Sequence, residues 1–492
     1  MTGLYDQLES VRASFGFFIP EMILCSAIII LLIAGLIKQD ASKLLTVLSF
    51  LTFSTSLLTL VLYWPLEDIP VNIFNGMLRA DNFSAYLKIL IDVGGLLTVL
   101  MTWRYQKQQH LSEYYALIVT VVLGAHLLVM SMNFVTVFIA LELISISSYI
   151  LTGFSFSKSG AEGSQKYFLF GSVASAVMLY GFTFLYGMTG SFEFASPVFV
   201  NALINNQSTL LLVAGSMALA GFLYKMAAAP LHPWAPDVYE AAPMPVVAFF
   251  SVVPKLAGLG ILTKFTLALN LFGQSVHDWQ FVICLVSMIS LTVGNFSALL
   301  QKRPKRLMAY SSIAQSGFLL VGVAAFLPGG INFMLFYATV YLLVNFLVFV
   351  YLQYFEAAGF ETLESFAGVG RQLVWPCVFL LMGFIALTGL PPTAGFTAKL
   401  FIFSSTWEAY QLNGKSILLW LLVFGLLNTV ISLFYYLKIP FYAFVKKAES
   451  NPITNNQTFE NFFGLTLVLV ILVLFFNPDL LMRWINKINF AL

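Results

Sequence analysis

The sequence predicts an all-α polytopic membrane protein with about fourteen transmembrane helices, two of them broken. Three observations carry this. Only 9% of the residues are charged and 60% are hydrophobic, against about 25% charged in an ordinary soluble domain. Apolar runs long enough to cross about 30 Å of hydrocarbon recur along the whole chain. Two of these runs are cut by prolines with lysines close by, and broken helices beside buried charge are typical of transporters. The mean hydropathy of +0.89 places the chain in lipid, and a formal charge of +2 implies no nucleic-acid partner.

In chain order, the runs lie near residues 17–37, 44–64, 83–103, 115–130, 134–154, 167–188 and 210–229. They continue near 246–269, 281–300, 307–327, 333–355, 374–404, 417–437 and 462–485. No strand alternation and no soluble domain is visible. The N-terminal stretch MTGLYDQLESVRASFGFF holds acidic residues and no small-residue cleavage pattern, so the first run is expected to be a retained span. Cys25, Cys284 and Cys377 lie far apart inside apolar runs and read as small hydrophobes.

Orientation follows from the placement of Lys and Arg. The odd connections hold Lys38 and Lys43, Arg104 and Lys107, Lys158 and Lys166, then Lys302, Arg303, Lys305 and Arg306, then Arg371, then Lys446 and Lys447. The even connections hold little beyond Arg79 and Lys415. Odd connections are therefore expected on the positive side, with both termini opposite. KRPKR at 302–306 reads as a solvated loop that obeys this rule.

The first break lies in GFLYKMAAAPLHPWAPDVYEAAPMPVV, where Pro230, Pro233, Pro236, Pro243 and Pro245 prevent a continuous helix. Lys225 precedes it and Lys255 lies in the run that follows. The second break is LTGLPPTAGFTAKLFIF, where Pro391 and Pro392 interrupt the run, Gly395 is expected to loosen it, and Lys399 follows. The breaks are about five spans apart, as two related halves would place them. The expected division is residues 1–110 for three leading helices, 111–270 and 271–447 for the halves, and 448–492 for the last helix.

Buried charge marks the chemistry. Glu142, in FVTVFIALELISISSYILTGF, is a carboxylate in mid-span beside Ser145, Ser147 and Ser148. A lone charge there costs at least about 2.5 kcal/mol, so it is expected to face the protein interior with water or a cation as partner. Lys225, Lys255 and Lys399 obey the same constraint. A buried lysine whose carboxylate partner comes and goes can accept and release a proton, which is the basis of a relay. One buried Lys and Glu pair also serves as a packing device, but three lysines and a glutamate beside two breaks favour transport.

Other polar residues carry plainer readings. Lys264 is near a span end and is expected to snorkel to the interface. Asp92, His126 and Glu408 have two readings each: lining a water path, or, preferred here, a hydrogen-bonded histidine and end-of-span carboxylates. His232 and Asp237 lie in the first break, where two readings stand: a proton passage, or partners for freed backbone groups. Glu162 and Lys166 have the spacing of a helix-surface pair, with Lys166 also a secondary relay candidate. There is no GxGxxG after a strand, no Walker loop, no CxxC cluster and no histidine pair placed for haem or metal. The chain is expected to do no redox chemistry itself, so uphill transport would draw on a partner subunit or another ion's gradient.

PLHPWAPDVYEAAPMPV resembles the break motif of the antiporter-like membrane subunits of respiratory complex I, the proton-pumping NADH:quinone oxidoreductase. ALELISISSYIL, KRLMAYSSIAQSGFLLVG and GLPPTAGFTAKL resemble three further motifs of that family, in the same order. The likeness runs from about the fourth span to the thirteenth. PDVY and the short chain after the last span are most similar to the N-type members.

The resemblance implies fourteen helices with two inverted five-helix repeats, helices 4–8 and 9–13, and broken helices 7 and 12. It implies that Glu142 is the fifth-helix glutamate, Lys225 the seventh-helix lysine, Lys255 the eighth-helix connecting lysine and Lys399 the twelfth-helix lysine. No cofactor is implied in this chain; flavin, iron–sulfur clusters and quinone belong to partner subunits. The implied partners are the M-type antiporter-like subunit, the small K-type and J-type subunits, and the bilayer of a bacterial inner membrane, with both termini periplasmic. Gln315 stands where many relatives carry histidine, and Tyr341 and Asn345 are polar without titrating near neutral pH. Proton passage between Lys255 and Lys399 is then expected to need ordered water. Competing readings are a subunit of a multi-subunit sodium/proton antiporter, which shares this fold, and a structural membrane subunit with inert charges.

Overall fold

The structure is a computed structural model that describes residues 2–37, 42–63, 70–105, 110–205, 208–270, 278–447 and 458–488, with side chains from residue 8. Lys38 and Lys107, two of the expected orientation anchors, lie outside the described residues. The chain divides into two compact units, one of residues 1–226, 241–279 and 487–492, the other of residues 227–240 and 280–486.

The first unit begins with α1 (Thr2–Ser14), α2 (Ile19–Ile37) and α3 (Ser42–Leu62). A short hairpin follows, β1 (Val71–Ile73) and β2 (Leu78–Ala80). It is antiparallel, with Asn72 opposite Arg79. This corrects the expectation of no strand: Asn75-Gly76 supplies the turn, both residues with positive φ, and such a dipeptide favours a hairpin. Next come α4 (Asn82–Tyr105), α5 (Leu111–Met130), α6 (Phe134–Thr152), α7 (Lys158–Thr189), α8 (Pro197–Asn205) and α9 (Thr209–Lys225). Asn133 caps α6 by accepting from Val135 N at 2.9 Å, and Ser157 caps α7 by accepting from Gly160 N at 3.0 Å. The unit is completed by α11 (Met244–Leu269), after α10 (Trp234–Ala241), nearly all of which belongs to the second unit. The best spanning window of α11 is buried throughout, whereas α2, α3 and α7 expose rows of leucine, isoleucine and phenylalanine.

The second unit holds α12 (Trp279–Leu299), α13 (Pro304–Ala324), α14 (Pro328–Ala357), α15 (Val374–Thr388) and α16 (Ala394–Asn413). It ends with α17 (Ser416–Tyr436), α18 (Lys438–Phe444), α19 (Thr458–Phe476) and α20 (Asp479–Ile485). Helix α14 is its centre, packed against α13, α15, α16 and α19.

Among the described residues twelve helices are long and apolar enough to cross a bilayer, or thirteen if the segment 364–388, bent by 116°, counts as one span. Both proline breaks are present. The first separates α9 from α10, and the second separates α15 from α16. Gly395 does not loosen the second break, as expected from sequence, but tightens it. A Cβ there would sit 1.8 Å from Ala386 O, so its bareness lets the start of α16 press onto the end of α15.

Candidate functional site

Glu142, Ser145 and Tyr149 recur every three to four residues on α6 and so share one face. Glu142 is half-buried and accepts a 2.6 Å hydrogen bond from Ser175 Oγ of α7. Lys225 is the last residue of half-helix α9, is buried, and donates to Ser145 Oγ at 2.9 Å. Its ammonium also lies 5.9 Å from the centre of the Tyr167 ring. Among the described residues no direct ion pair joins Glu142 and Lys225; Ser145, one turn beyond Glu142 on α6, takes the lysine. A hydroxyl can donate and accept, so this arrangement can carry a proton without a permanent salt bridge.

Lys255 follows Pro254 inside α11 and is 1% exposed. Thus one half-buried carboxylate and two buried lysines of the expected set lie in the first unit.

The second unit places Lys399 in the second turn of α16. Its Nζ donates to Thr388 O at 2.8 Å, across the break, and sits 4.1 Å from the centre of the Phe318 ring. Thr388 ends α15, so the ammonium meets a carbonyl at the negative end of a half-helix and the face of an aromatic ring. This accounts for a sequence asymmetry. Lys225 precedes its break because it ends the first half-helix, whereas Lys399 follows its break and reaches back to the end of the first half-helix. Gly389 makes room, with φ +81° and a virtual Cβ only 2.7 Å from Lys399 Cδ.

A polar cluster surrounds Lys399. Gln315 of α13 receives a hydrogen bond from Tyr337, donates to Tyr436 Oη at 3.2 Å, and lies beside Leu387 O at 3.4 Å. Tyr436 also pairs with Ser311. Ser312 lies 2.9 Å from Tyr239 Oη and 3.3 Å from Tyr341 Oη. Gln315, Tyr337, Tyr341 and Lys399 line a cavity of about 10 Å³, the size of one water molecule. Gln315 thus joins a hydrogen-bonded network, which an amide can do without titrating. Ser311, Ser312, Tyr337 and Tyr436 were not singled out from the sequence, although YSSIAQ places two serines and the glutamine on adjoining faces of one helix.

The remaining expected residues fall apart. Asp237 accepts from Arg306 at 3.1 Å, and Glu240 accepts from Arg306 at 2.7 Å and from Arg303. Lys305 pairs with Glu356 at 2.7 Å. KRPKR is therefore not simply a solvated loop: three of its residues bind carboxylates of α10 and α14. Glu240 lies outside the spanning helices. Its partial burial favours the neutral form, but the Arg306 and Arg303 hydrogen bonds outweigh this and hold its carboxyl below the usual range.

His232 Nδ1 is buried in the break without a hydrogen-bond partner among the described residues. Lys166 forms an exposed pair with Glu162 at 2.9 Å, the plain helix-surface reading. Tyr341 joins the Lys399 cluster. Lys264 does not snorkel: it is 2% exposed, paired with Asp81 at 2.7 Å and hydrogen-bonded to Ser84 at 2.7 Å. Asp92 is not an end-of-span carboxylate; it lies mid-helix on α4 in a buried cluster with His126, Lys88 and Glu21, the last two of which sequence reading passed over. Their signal was present, since each is a charge inside an apolar run.

Residues 131–432 match the family described as NADH:quinone oxidoreductase/Mrp antiporter, TM. The chain is 35% identical over 490 residues to the NADH-quinone oxidoreductase subunit N of Chlorobium chlorochromatii, covering 96% of this chain and 94% of that one. Its fold is similar to a chain in the structure of respiratory complex I from Thermus thermophilus with bound aureothin, at 28% identity and a TM-score of 0.78, covering 94% of this chain and 98% of that one. It is also similar to a chain of the Mrp complex from Dietzia sp., at 20% identity and a TM-score of 0.80, covering 95% and 96%. The last likeness is one of fold alone.

Proposed function

This chain belongs to the NADH:quinone oxidoreductase/Mrp antiporter membrane family, and from that premise we propose that it is a proton-translocating membrane-arm subunit of a NADH:quinone oxidoreductase. The observation that carries this reading is Lys225. A buried ammonium at the end of a half-helix, hydrogen-bonded to a serine hydroxyl one turn from Glu142 and over the Tyr167 ring, is placed to gain and lose a proton. Glu142 tunes it, Lys255 passes the proton on, and Lys399 with its hydroxyl and amide cluster serves the other half of the relay. Ser175 holds Glu142 in place from α7.

The chain itself holds no redox centre in this reading. Flavin, iron–sulfur clusters and quinone sit in partner subunits, and redox energy reaches the lysines as shifts in charge pairing. The neighbours are other membrane subunits of the complex, among them the M-type, K-type and J-type subunits. The two halves of the chain are inverted repeats. The membrane is a bacterial inner membrane, with the odd connections cytoplasmic and both termini periplasmic.

The test is to reconstitute the whole complex with Lys225→Ala or Glu142→Ala. Electron transfer with a lowered proton-to-electron ratio supports the relay, and normal pumping by a normally assembled complex overturns it. Because the Mrp-type fold is equally similar, the antiporter reading has its own check. Purification of this chain with a flavin and iron–sulfur arm excludes it.

A further inference from the structure

Helices α2 to α5 of the first unit hold a second chain of buried ionisable groups. Lys88 and Asp92 are one turn apart on α4, Glu21 lies on α2 and His126 on α5. Lys88 Nζ donates to Glu21 Oε1 at 2.9 Å, and His126 Nδ1 lies 3.1 Å from the same oxygen. On its other side His126 Nε2 is 3.1 Å from Asp92 Oδ1, while Ser56 Oγ of α3 donates to Asp92 Oδ2 at 2.7 Å. Glu21, Asp92 and His126 are all 0% exposed. Glu21 Oε2, Asp92 Oδ1 and His126 Nε2 have no hydrogen-bond partner among the described residues, so His126 and Asp92 stand at an ion-pair distance without a formed hydrogen bond.

Both ends of this chain lead onward. Lys88 and Asp81 line a cavity of about 270 Å³ whose walls include Phe17, Pro20, Leu60 and Tyr63. These residues lie in or beside the start of α2, the end of α3 and the start of α4, so the cavity lies at that end of the helices. Asp81 is in turn bound by Lys264. In the other direction, Ser56 heads a row of buried hydroxyls on α3, namely Thr52, Ser49 and Thr46, spaced three to four residues apart. Thr46 Oγ1 lies 3.1 Å from Tyr115 Oη, near the start of α3 and of α5, which is the end away from the cavity. Each interval along the row is about 5 Å of helix rise, a gap that one water molecule can bridge.

We propose that α2 to α5 carry a second transmembrane proton route, loaded at Lys88, Glu21, His126 and Asp92 and continued by the hydroxyl row of α3. The charge count supports this. Two carboxylates and one ammonium leave a net negative charge, and one proton on His126 brings the cluster to neutrality. Glu21 Oε1 touches both Lys88 and His126, so it is the hand-over atom. Lys88 gives a proton to Glu21 and regains one from water entering the cavity; Glu21 passes it to His126 Nδ1, and His126 releases one from Nε2 to Asp92. One proton moves at each step and no electron does. The hydroxyls from Ser56 to Thr46 and bridging water then carry it to Tyr115.

An architectural ion cluster that merely clamps four helices predicts something different, and the whole reconstituted complex distinguishes the two. Glu21→Gln alone strands Lys88 and is expected to impair assembly under either view. The double variant Glu21→Gln with Lys88→Met removes the pair at nearly constant volume. It is expected to assemble and to reduce quinone with a lowered proton-to-electron ratio. Ala85→Phe, which fills the cavity while leaving every ionisable residue in place, is expected to lower the ratio in the same way. A wild-type ratio in both variants, or a double variant that fails to assemble, overturns the proposal. Lys225→Ala, measured in parallel, separates failure of this route from failure of the main relay.

Discussion

At the residue scale, the two break lysines use opposite sides of their breaks for one electrostatic end. Lys225 terminates α9, and Lys399 reaches from α16 to the last carbonyl of α15. Position 395 has no room for a side chain in that arrangement. Gly395→Ala is expected to push α16 from α15, at a cost of about 1–3 kcal/mol, and to lower both the thermal stability of the complex and its proton-to-electron ratio. A variant with wild-type melting and pumping would show that the break is slack. Tyr337→Phe tests the neighbouring network. It deletes the donor to Gln315 Oε1 and leaves a buried acceptor short of a partner, costing about 1–3 kcal/mol of stability. A thermal denaturation series on the assembled complex reads this directly.

At the element scale, α10 shows how a short helix outside the spanning set is held after a proline break. Its acidic end is fastened to the basic start of α13 through Arg306 and Arg303. The carboxyl of Glu240 has a folded pKa below its unfolded value, so its contribution is fully present above the unfolded pKa of about 4.3. That contribution is lost as the pH falls through the folded value. Arg306→Gln is expected to weaken the fastening and to flatten the acid limb of a stability-against-pH curve, measured by limited proteolysis of the 227–240 segment. An unchanged acid limb would mean that Glu240 contributes nothing to the hold on α10. The loop motif KRPKR was read from sequence as an orientation signal, and its local chemistry proved to be ion pairing as well.

At the scale of the whole molecule, each unit encloses its own buried polar chemistry behind apolar helices. Helix α11 is buried along its best spanning window, while α17 and α19 expose Trp420, Phe424, Leu427, Phe434, Phe462 and Phe476. A lipid-soluble photolabel is expected to tag α17 or α19 wherever partner subunits leave them bare, and to leave α11 unlabelled. Labelling of α11 in the assembled complex would contradict this packing.

The sequence by itself determined the membrane solvent, the positions of most spans and the two proline breaks, and it singled out the four residues proposed here as the relay. Each of these is a local signal: apolar length, a missing backbone donor, or a charge where charge is costly. Only the tertiary structure decided which buried charges meet. Glu21, Lys88, Asp92 and His126 are spread over 105 residues of chain and three helices, and a single glutamate oxygen joins two of them. Lys264 looked like a span-end lysine until Asp81, just before α4, and Ser84 in its first turn became its partners. Helical periodicity tells which residues share a face of one helix, but the partner across the gap depends on how helices distant in sequence pack, because a buried charge is settled by whatever neighbour the fold brings within about 3 Å.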